Sequence, residues 1–176
     1  MRPAFTAILS CLLLAATGCA ATSAPAPAPA VAHFVVVRHA EKAEEDPREP
    51  GDPGLTAAGR QRAAVLAATL SDAPVVAVYA TGLRRAQQTV APIAARHGLA
   101  PRTYEARQAA AEFVAGLRRD HAQGTVVVVG HSNTVSGIVS ALCTCVVAPI
   151  DESDYGNRYE VTIDAGGAVA LHHRRD

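Results

Sequence analysis

The chain has 176 residues, and its 16 lysines and arginines balance 16 aspartates and glutamates, so the formal net charge is zero. A binder of nucleic-acid backbones needs a basic face, which this composition argues against. The length fits one domain with a substantial core, and after the N-terminus no apolar block approaches the roughly 20 residues that a membrane span needs.

Residues 1–18 have the pattern of a bacterial export signal. Met1 and Arg2 form a short positive region, an apolar stretch follows, and small residues precede Cys19. The segment resembles a lipoprotein signal, in which Cys19 would be lipidated, although ordinary secretion stays open because Ala16 stands where that signal prefers leucine. Residues 19–32 predict an Ala/Pro-rich tether and residues 33–176 the domain. We therefore expect an exported protein, periplasmic or membrane-anchored.

The first strand of the domain ends in two residues suited to binding an anion. Residues 34–37 are continuously apolar, which predicts a central strand covered on both faces, and Arg38 and His39 follow directly. Ligands of open α/β sheets gather at the carboxyl ends of strands, so this pair predicts an anion site. Residues 43–54, rich in charge, Pro and Gly, predict an exposed loop that either shapes substrate access or is a solvated connection.

A helix and a second strand follow. Thr56 is a predicted helix N-cap, apolar positions continue at helical spacing to Leu70, and residues 75–79 form a second buried strand.

Residues 81–89 begin at the end of this second strand and enter a helix that runs to about His97. Arg84 and Arg85 lie in its first turn, where positive charge opposes the helix dipole. We interpret them as an anion-binding pair rather than as solvated arginines, because helix N-termini and arginines both bind phosphate.

The second half repeats the opening pattern. A short strand near Arg102 and a helix over residues 105–120 lead to a valine strand at 126–129, which ends in Gly130 and His131. Since both valine strands end in a histidine, we expect His39 and His131 to converge on one pocket. A helix over residues 135–142 follows, and residues 155–173 predict a β-hairpin at the sheet edge, with a turn at 165–167.

Cys143 and Cys145 are the two cysteines of the domain. Export permits a disulfide, but a bridge that closes a single intervening residue is strained, so we expect structural or incidental thiols, with a labile redox pair as the alternative. Two thiols without further ligands at zinc spacing do not form a metal site.

These residues suit phosphoryl transfer if they meet. Two guanidiniums can fork onto phosphate oxygens, and a neutral imidazole can attack phosphorus through one nitrogen while a carbonyl holds the other as a donor. A second imidazole can stabilise the equatorial oxygens. We expect no metal and no other cofactor, since this positive charge is enough and no carboxylate cage is evident.

Four blocks, residues 37–41, 55–59, 81–89 and 130–132, resemble the histidine phosphatase superfamily, also called phosphoglycerate mutase-like. The resemblance implies an α/β fold, a three-layer αβα sandwich, which agrees with the mostly parallel sheet and edge hairpin read from the sequence. It also implies roles for individual residues: His39 as the nucleophile that becomes a phosphohistidine, Arg38 and Arg85 as phosphate clamps, His131 as the second pocket histidine, and Glu105 as the general acid. Glu41 is the other candidate acid, because it lies two residues after His39.

Asn133 and Thr134 stand where the motif more usually has glycines, and they either line the pocket or cap the following helix. With no long insertion to form a lid, the chain resembles the small phosphatases of the family. We expect a metal-independent phosphatase that acts on a small phosphomonoester or phosphoramidate. The alternative is a catalytically silent envelope lipoprotein that binds a phosphorylated ligand, and the oligomeric state stays open.

Overall fold

The computed structural model describes residues 31–45, 47 and 50–175, and the predicted signal and nearly all of the tether lie outside this range. Strands and helices alternate along most of the chain. In order they are β1 (Ala32–Arg38), α1 (Ala57–Thr69), β2 (Val75–Ala80), α2 (Arg84–His97), β3 (Arg102–Thr103), α3 (Ala110–Asp120), β4 (Gly124–Gly130), α4 (Ser132–Cys143), β5 (Asn157–Ile163) and β6 (Val169–Arg175).

The six strands form one sheet in the order β3-β2-β4-β1-β5-β6. The pairs from β3 to β1 are parallel, whereas β5 is antiparallel to β1 and β6 is antiparallel to β5. Helices α1 and α2 cover one face of the sheet, and α3 and α4 cover the other. The predicted three-layer α/β fold, with a β-hairpin at the sheet edge, is confirmed.

The valine-rich strands are continuous because both of their faces are buried. In β1, Phe34 and Val36 pack into the core beneath α3 and α4, while Val35 and Val37 pack beneath α1 and α2. Burying one such side chain contributes about 1.5–3 kcal/mol, so the two central strands hold both helical layers. Packing on both faces holds β1 and β4 side by side. The residues that follow the carboxyl ends of these two strands are therefore also held next to each other.

Local signals set two helix starts. The Thr56 hydroxyl accepts a hydrogen bond from the Gly59 N–H at 3.0 Å, as predicted for an N-cap. Helix α4 begins at Ser132 rather than at residue 135, because the Thr134 hydroxyl accepts from the N–H of His131 at 2.9 Å and so ties the first turn together. Of the two residues suggested as caps, Thr134 therefore has that role.

Helix α3 begins at Ala110, five residues later than the predicted start at residue 105. The Tyr104 N–H donates to the carbonyl of Ala80 at 3.1 Å, and the Tyr104 ring stacks on Phe113 with the centroids 4.3 Å apart. These contacts keep Tyr104 at the sheet, so the chain needs a turn before it can enter the helix. Glu105 consequently lies in that turn.

Cys143 and Cys145 form a disulfide, so the expectation of structural or incidental thiols is wrong. Thr144, the C-cap of α4, adopts a left-handed conformation with φ of 54° and turns the chain back on itself. The two Cα atoms are thereby 5.2 Å apart, within the span that a disulfide bridges.

Within the described residues, no helix combines the length and the apolar character needed to cross a membrane.

Candidate active site

The two histidines lie at the adjacent carboxyl ends of β1 and β4. Arg38 is in register with Gly130, and the His39 N–H donates to the Gly130 carbonyl at 2.9 Å. The rings of His39 and His131 are consequently close, with centroids 5.2 Å apart and planes at 61°. Both residues are buried, with exposed fractions of 3% and 8%.

Hydrogen bonds fix the tautomer of His39. Its Nδ1 lies 2.8 Å from the carbonyl oxygen of Ala40, and because a carbonyl can only accept, Nδ1 carries the proton. Nε2 therefore has a free lone pair, which accepts a hydrogen bond from the Arg85 Nε at 3.2 Å. This arrangement presents a nucleophilic nitrogen directly beside a guanidinium.

Arg85 reaches the site from the first turn of α2. A buried hydroxyl ties this turn to β1, since Thr89 donates to the Arg85 carbonyl at 2.7 Å and accepts from the Ala40 N–H at 3.0 Å. Asp52, from the loop predicted beside the site, accepts from the backbone N–H of Arg84 at 2.8 Å and lies 4.0 Å from Nη1 of Arg85. A carboxylate thus occupies the helix N-terminus, where an anion is favoured.

Arg38 is held by the segment before β5. Its Nη1 donates to the backbone carbonyls of Asp151 at 3.2 Å, of Asp154 at 3.4 Å and of Glu152. The guanidinium carbon lies 4.1 Å from the centroid of the Tyr155 ring. Arg38 is only 4% exposed, and its buried Nε has no hydrogen-bond partner among the described residues.

His131 is oriented by Thr81, the residue that directly follows β2. The Nε2 of His131 lies 2.9 Å from the Thr81 hydroxyl, which is buried with it. At their carboxyl ends, β1 thus contributes Arg38 and His39, and β2 and β4 contribute Thr81 and His131. Arg38, His39, Arg85 and His131 all meet at this edge of the sheet.

Burial keeps both imidazoles neutral at physiological pH. The pKa of His39 and that of His131 are lowered from the usual 6.5 to about 4 each, and loss of hydration is the largest cause of both shifts. The positive charges of Arg38 and Arg85 contribute to both shifts, and His131 contributes to that of His39, which the hydrogen bond to Ala40 partly opposes. A neutral His39 retains the lone pair that nucleophilic attack requires.

We expect two histidine ring signals to titrate with midpoints near pH 4 in an NMR titration of the folded chain, one lost in His39→Ala and the other in His131→Ala. Because these folded-state pKa values lie below 6.5, the unfolded chain takes up protons first as the pH falls. The free energy of unfolding should therefore decrease between about pH 6.5 and pH 4. Midpoints near 6.5 for the two signals would contradict the described burial.

The two candidate acids lie in different surroundings. Arg62 holds Glu41 through bonds of 2.7 Å and 3.0 Å to Oε1 and 3.1 Å to Oε2, and this pairing lowers the pKa of Glu41. A carboxylate held in this way is a poor proton donor. Glu105 is exposed and lines a cavity of about 190 Å³ together with Asn133 and Thr134. Glu105 and Asn133 thus line one cavity, which lies beside the site and is not lined by Arg38, His39, Arg85 or His131.

Sequence reasoning missed Thr81, Asp52 and the segment that holds Arg38. Thr81 carried a usable signal, since a polar residue directly after a buried strand faces the same edge as Arg38 and His131. Backbone carbonyls leave no such signal. Within the described part of the chain, no three His, Cys, Asp or Glu side chains converge in a way that could hold a metal ion.

Part of the chain that contains these site residues matches a known protein family. Residues 34–108 match the histidine phosphatase superfamily, branch 1. The matched histidine phosphatase segment contains Arg38, His39, Arg85 and Glu105, and agrees with the resemblance found from the sequence. His131 lies beyond it.

Curated relatives are similar over part of the chain. Two proteins from strains of Mycobacterium tuberculosis, both described only as uncharacterized, are 48% identical over 64 residues. That stretch is 36% of this chain and 32% of each relative, so the match spans about a third of their length.

Solved structures are similar over most of the chain. The structure of the protein histidine phosphatase SixA complexed with tungstate has a TM-score of 0.64 at 19% identity, and covers 81% of this chain and 96% of that one. Mycobacterial glucosyl-3-phosphoglycerate phosphatase has a TM-score of 0.60 at 14% identity, and covers 82% and 98% of the two chains. At these identities the likeness establishes the histidine phosphatase fold.

Proposed function

We propose that the chain is a phosphatase that transfers a phosphoryl group first to His39 and then to water. One observation carries this proposal: the Nδ1–H of His39 is held by the Ala40 carbonyl at 2.8 Å, so that its Nε2 lone pair points to the Arg85 guanidinium. A fixed, neutral imidazole facing a guanidinium is suited to attack an anionic phosphoryl group.

In the first step, Nε2 of His39 attacks phosphorus. The phosphorus–nitrogen bond forms while the bond from phosphorus to the leaving oxygen or nitrogen breaks, and the leaving atom takes a proton from a general acid. The ring becomes cationic, and the Ala40 carbonyl stabilises this charge through Nδ1–H. In the second step, water attacks phosphorus and gives a proton back to the ionised general acid, the phosphorus–nitrogen bond breaks, inorganic phosphate leaves, and His39 regains its lone pair.

The guanidiniums supply the positive charge that phosphoryl transfer needs. The Arg85 Nε already lies 3.2 Å from Nε2 of His39, the His131 ring is 5.2 Å from the His39 ring, and the charge of Arg38 acts on the same imidazole. Charge that gathers on the phosphoryl oxygens can be neutralised by Arg38 and Arg85 without a metal ion. His131, held neutral by burial, has one N–H, and it can donate to an equatorial oxygen when its Nε2 exchanges the Thr81 hydroxyl for that oxygen.

Glu105 is the general acid in this proposal. Its cavity also contains Asn133, which can contact the leaving group, and the cavity adjoins His131 through Thr134. Glu41 is less suited because Arg62 pairs with it and keeps it ionised. A carboxyl group within reach of the leaving atom can supply its proton.

The proposed substrate is a small phosphomonoester or phosphoramidate. The protein histidine phosphatase SixA, which shares the fold, is described in complex with tungstate, a tetrahedral oxyanion of the same shape as phosphate.

The proposed location is the cell envelope, with Cys19 as a lipid attachment point. The Cys143–Cys145 disulfide supports export, because such bonds persist mainly in oxidising compartments.

Hydrolysis of p-nitrophenyl phosphate by the purified full chain tests this proposal. We expect turnover that tungstate inhibits and that EDTA leaves unchanged.

Glu105→Gln should slow the hydrolysis of an alkyl phosphate more than that of p-nitrophenyl phosphate, because only the alkoxide needs a proton as it leaves. If tungstate binds but no phosphomonoester or phosphohistidine peptide is hydrolysed, the chain is instead the catalytically silent binder.

A further inference from the structure

The segment of residues 151–155 is acidic, yet the carboxylates of Asp151 and Asp154 form their hydrogen bonds with residues other than Arg38. The Asp151 carboxylate accepts from the Ser153 N–H at 2.8 Å, and the Asp154 carboxylate pairs with Arg175 at 2.9 Å. Only backbone carbonyls of this segment accept hydrogen bonds from the Arg38 Nη1. The segment therefore holds Arg38 by dipoles and not by ion pairs.

Whether Arg38 is held by carbonyls or by carboxylates affects its ability to bind an anion. A carboxylate paired with the guanidinium would neutralise it, and a phosphate would then have to displace that carboxylate. Carbonyl dipoles and the face of an aromatic ring orient the guanidinium but leave its formal charge intact. Arg38 is thus fixed in place and still available to a phosphoryl group.

Tyr155 provides the face on which the guanidinium rests. The Arg38 guanidinium carbon is 4.1 Å from the ring centroid, and the same ring lies 6.1 Å from the ring of His39. The carbonyls hold one end of the guanidinium, whereas its Nε lacks a hydrogen-bond partner in the described structure. No hydrogen bond at Nε fixes the tilt of the guanidinium plane, so the Tyr155 ring is the contact that can fix it.

We propose that Tyr155 is a positioning residue for phosphoryl transfer: its ring holds the guanidinium of Arg38 at the angle that lets its free edge meet a phosphoryl group on His39. This inference rests on the proposed function. It assigns a role to the hairpin side of the site, which lies outside the segment that matches the family. The hydroxyl of Tyr155 has no part in this role.

Tungstate affinity, measured by calorimetry on the full chain, tests the proposal independently of turnover. Tyr155→Leu should weaken tungstate binding about tenfold, the effect of a lost cation–π contact on a desolvated arginine. Tyr155→Phe, which keeps the ring, should stay within about twofold of the native chain. In an Arg38→Ala background, Tyr155→Leu should add less than about a further twofold, because Tyr155 acts through Arg38.

Tyr159→Leu is the matched control, since Tyr159 is a buried tyrosine of β5, close to Tyr155 in sequence, whose ring stacks on that of His173 with the centroids 4.5 Å apart. It should lower the melting temperature but not tungstate affinity. Native affinity in a folded Tyr155→Leu, or an equal loss in Tyr155→Phe, overturns the proposal. Should Tyr155→Leu unfold, the Arg38 Nε–H signal of the native chain decides: a shift by the Tyr155 ring current supports the contact, and its absence overturns it.

These outcomes are separable from those of the proposed function. A chain that binds tungstate but hydrolyses no phosphate contradicts the phosphatase proposal, while the same variants still decide the role of Tyr155. Where turnover is measurable, a mispositioned Arg38 should lower kcat/KM by about ten- to a hundredfold in Tyr155→Leu.

Discussion

Replacing His39 with alanine is expected to lower kcat for p-nitrophenyl phosphate by about three to six orders of magnitude, as removal of a nucleophile does in other enzymes with covalent intermediates. The imidazole is the one group that forms a bond to phosphorus in this account, and Arg38 and Arg85 cannot replace it. Steady-state assays of the purified variant measure the loss directly.

Tungstate binding separates this loss from misfolding. His39→Ala keeps both guanidiniums, so we expect a folded variant to bind tungstate within about tenfold of the native affinity. His33→Ala is the matched control, because His33 is an exposed histidine of β1, the strand that His39 follows, and its Nδ1 lies 3.1 Å from the Thr162 hydroxyl. A His39→Ala variant as active as His33→Ala would refute the nucleophile assignment.

Replacing Arg85 with methionine is expected to lower kcat by about a hundred- to a thousandfold, the usual effect of removing one preorganised donor to a charged transition state. The Arg85 Nε is 3.2 Å from the attacking nitrogen, so its charge lies where the phosphoryl oxygens gather electrons. Methionine keeps most of the side-chain volume, which limits structural damage. Steady-state kinetics and tungstate affinity measure the two consequences.

Arg84→Met is the control for Arg85, since Arg84 occupies the same first turn of α2 but its side chain is exposed. Its backbone N–H, which binds Asp52, is unaffected by the substitution. We expect activity within about twofold of the native chain, as for most exposed substitutions. Equal losses in the two variants would show that the first turn of α2 acts only through its general charge.

The centre of the site was predictable because it follows from strand order and not from detail. Two continuous valine runs predict two buried strands, and a histidine after each predicts a meeting point if the strands are parallel neighbours. The structure supplies that condition through the β1–β4 register, in which Arg38 is opposite Gly130. The position of Arg85 followed similarly from its place in the first turn of a helix.

Contacts made by the backbone over long separations were not predictable. The carbonyls that hold Arg38 come from residues 113 to 116 positions away, and any residue type could supply them. The disulfide depended on a left-handed conformation at Thr144, which a threonine in the sequence does not predict. The late start of α3 likewise came from a tertiary contact, because Tyr104 stays packed at the sheet.

The two candidate acids show why closeness in sequence is a poor guide to a site. Glu41 is two residues from His39, yet its side chain turns to Arg62 on α1. Glu105 is far from His39 in sequence but follows β3 at the same edge of the sheet, beside Asn133. The sheet edge, and not distance along the chain, selects the residues that can act together.

Trapping the covalent intermediate would test whether His39 is the nucleophile. The full chain would be mixed with substrate, quenched with base after one turnover or less, digested and analysed by mass spectrometry. We expect a phosphoryl group on His39, bonded to Nε2, that is stable to base, is lost in mild acid and is absent in His39→Ala. Hydrolysis that proceeds with no phosphorylated His39, or with an acid-stable phosphate on another residue, would contradict it.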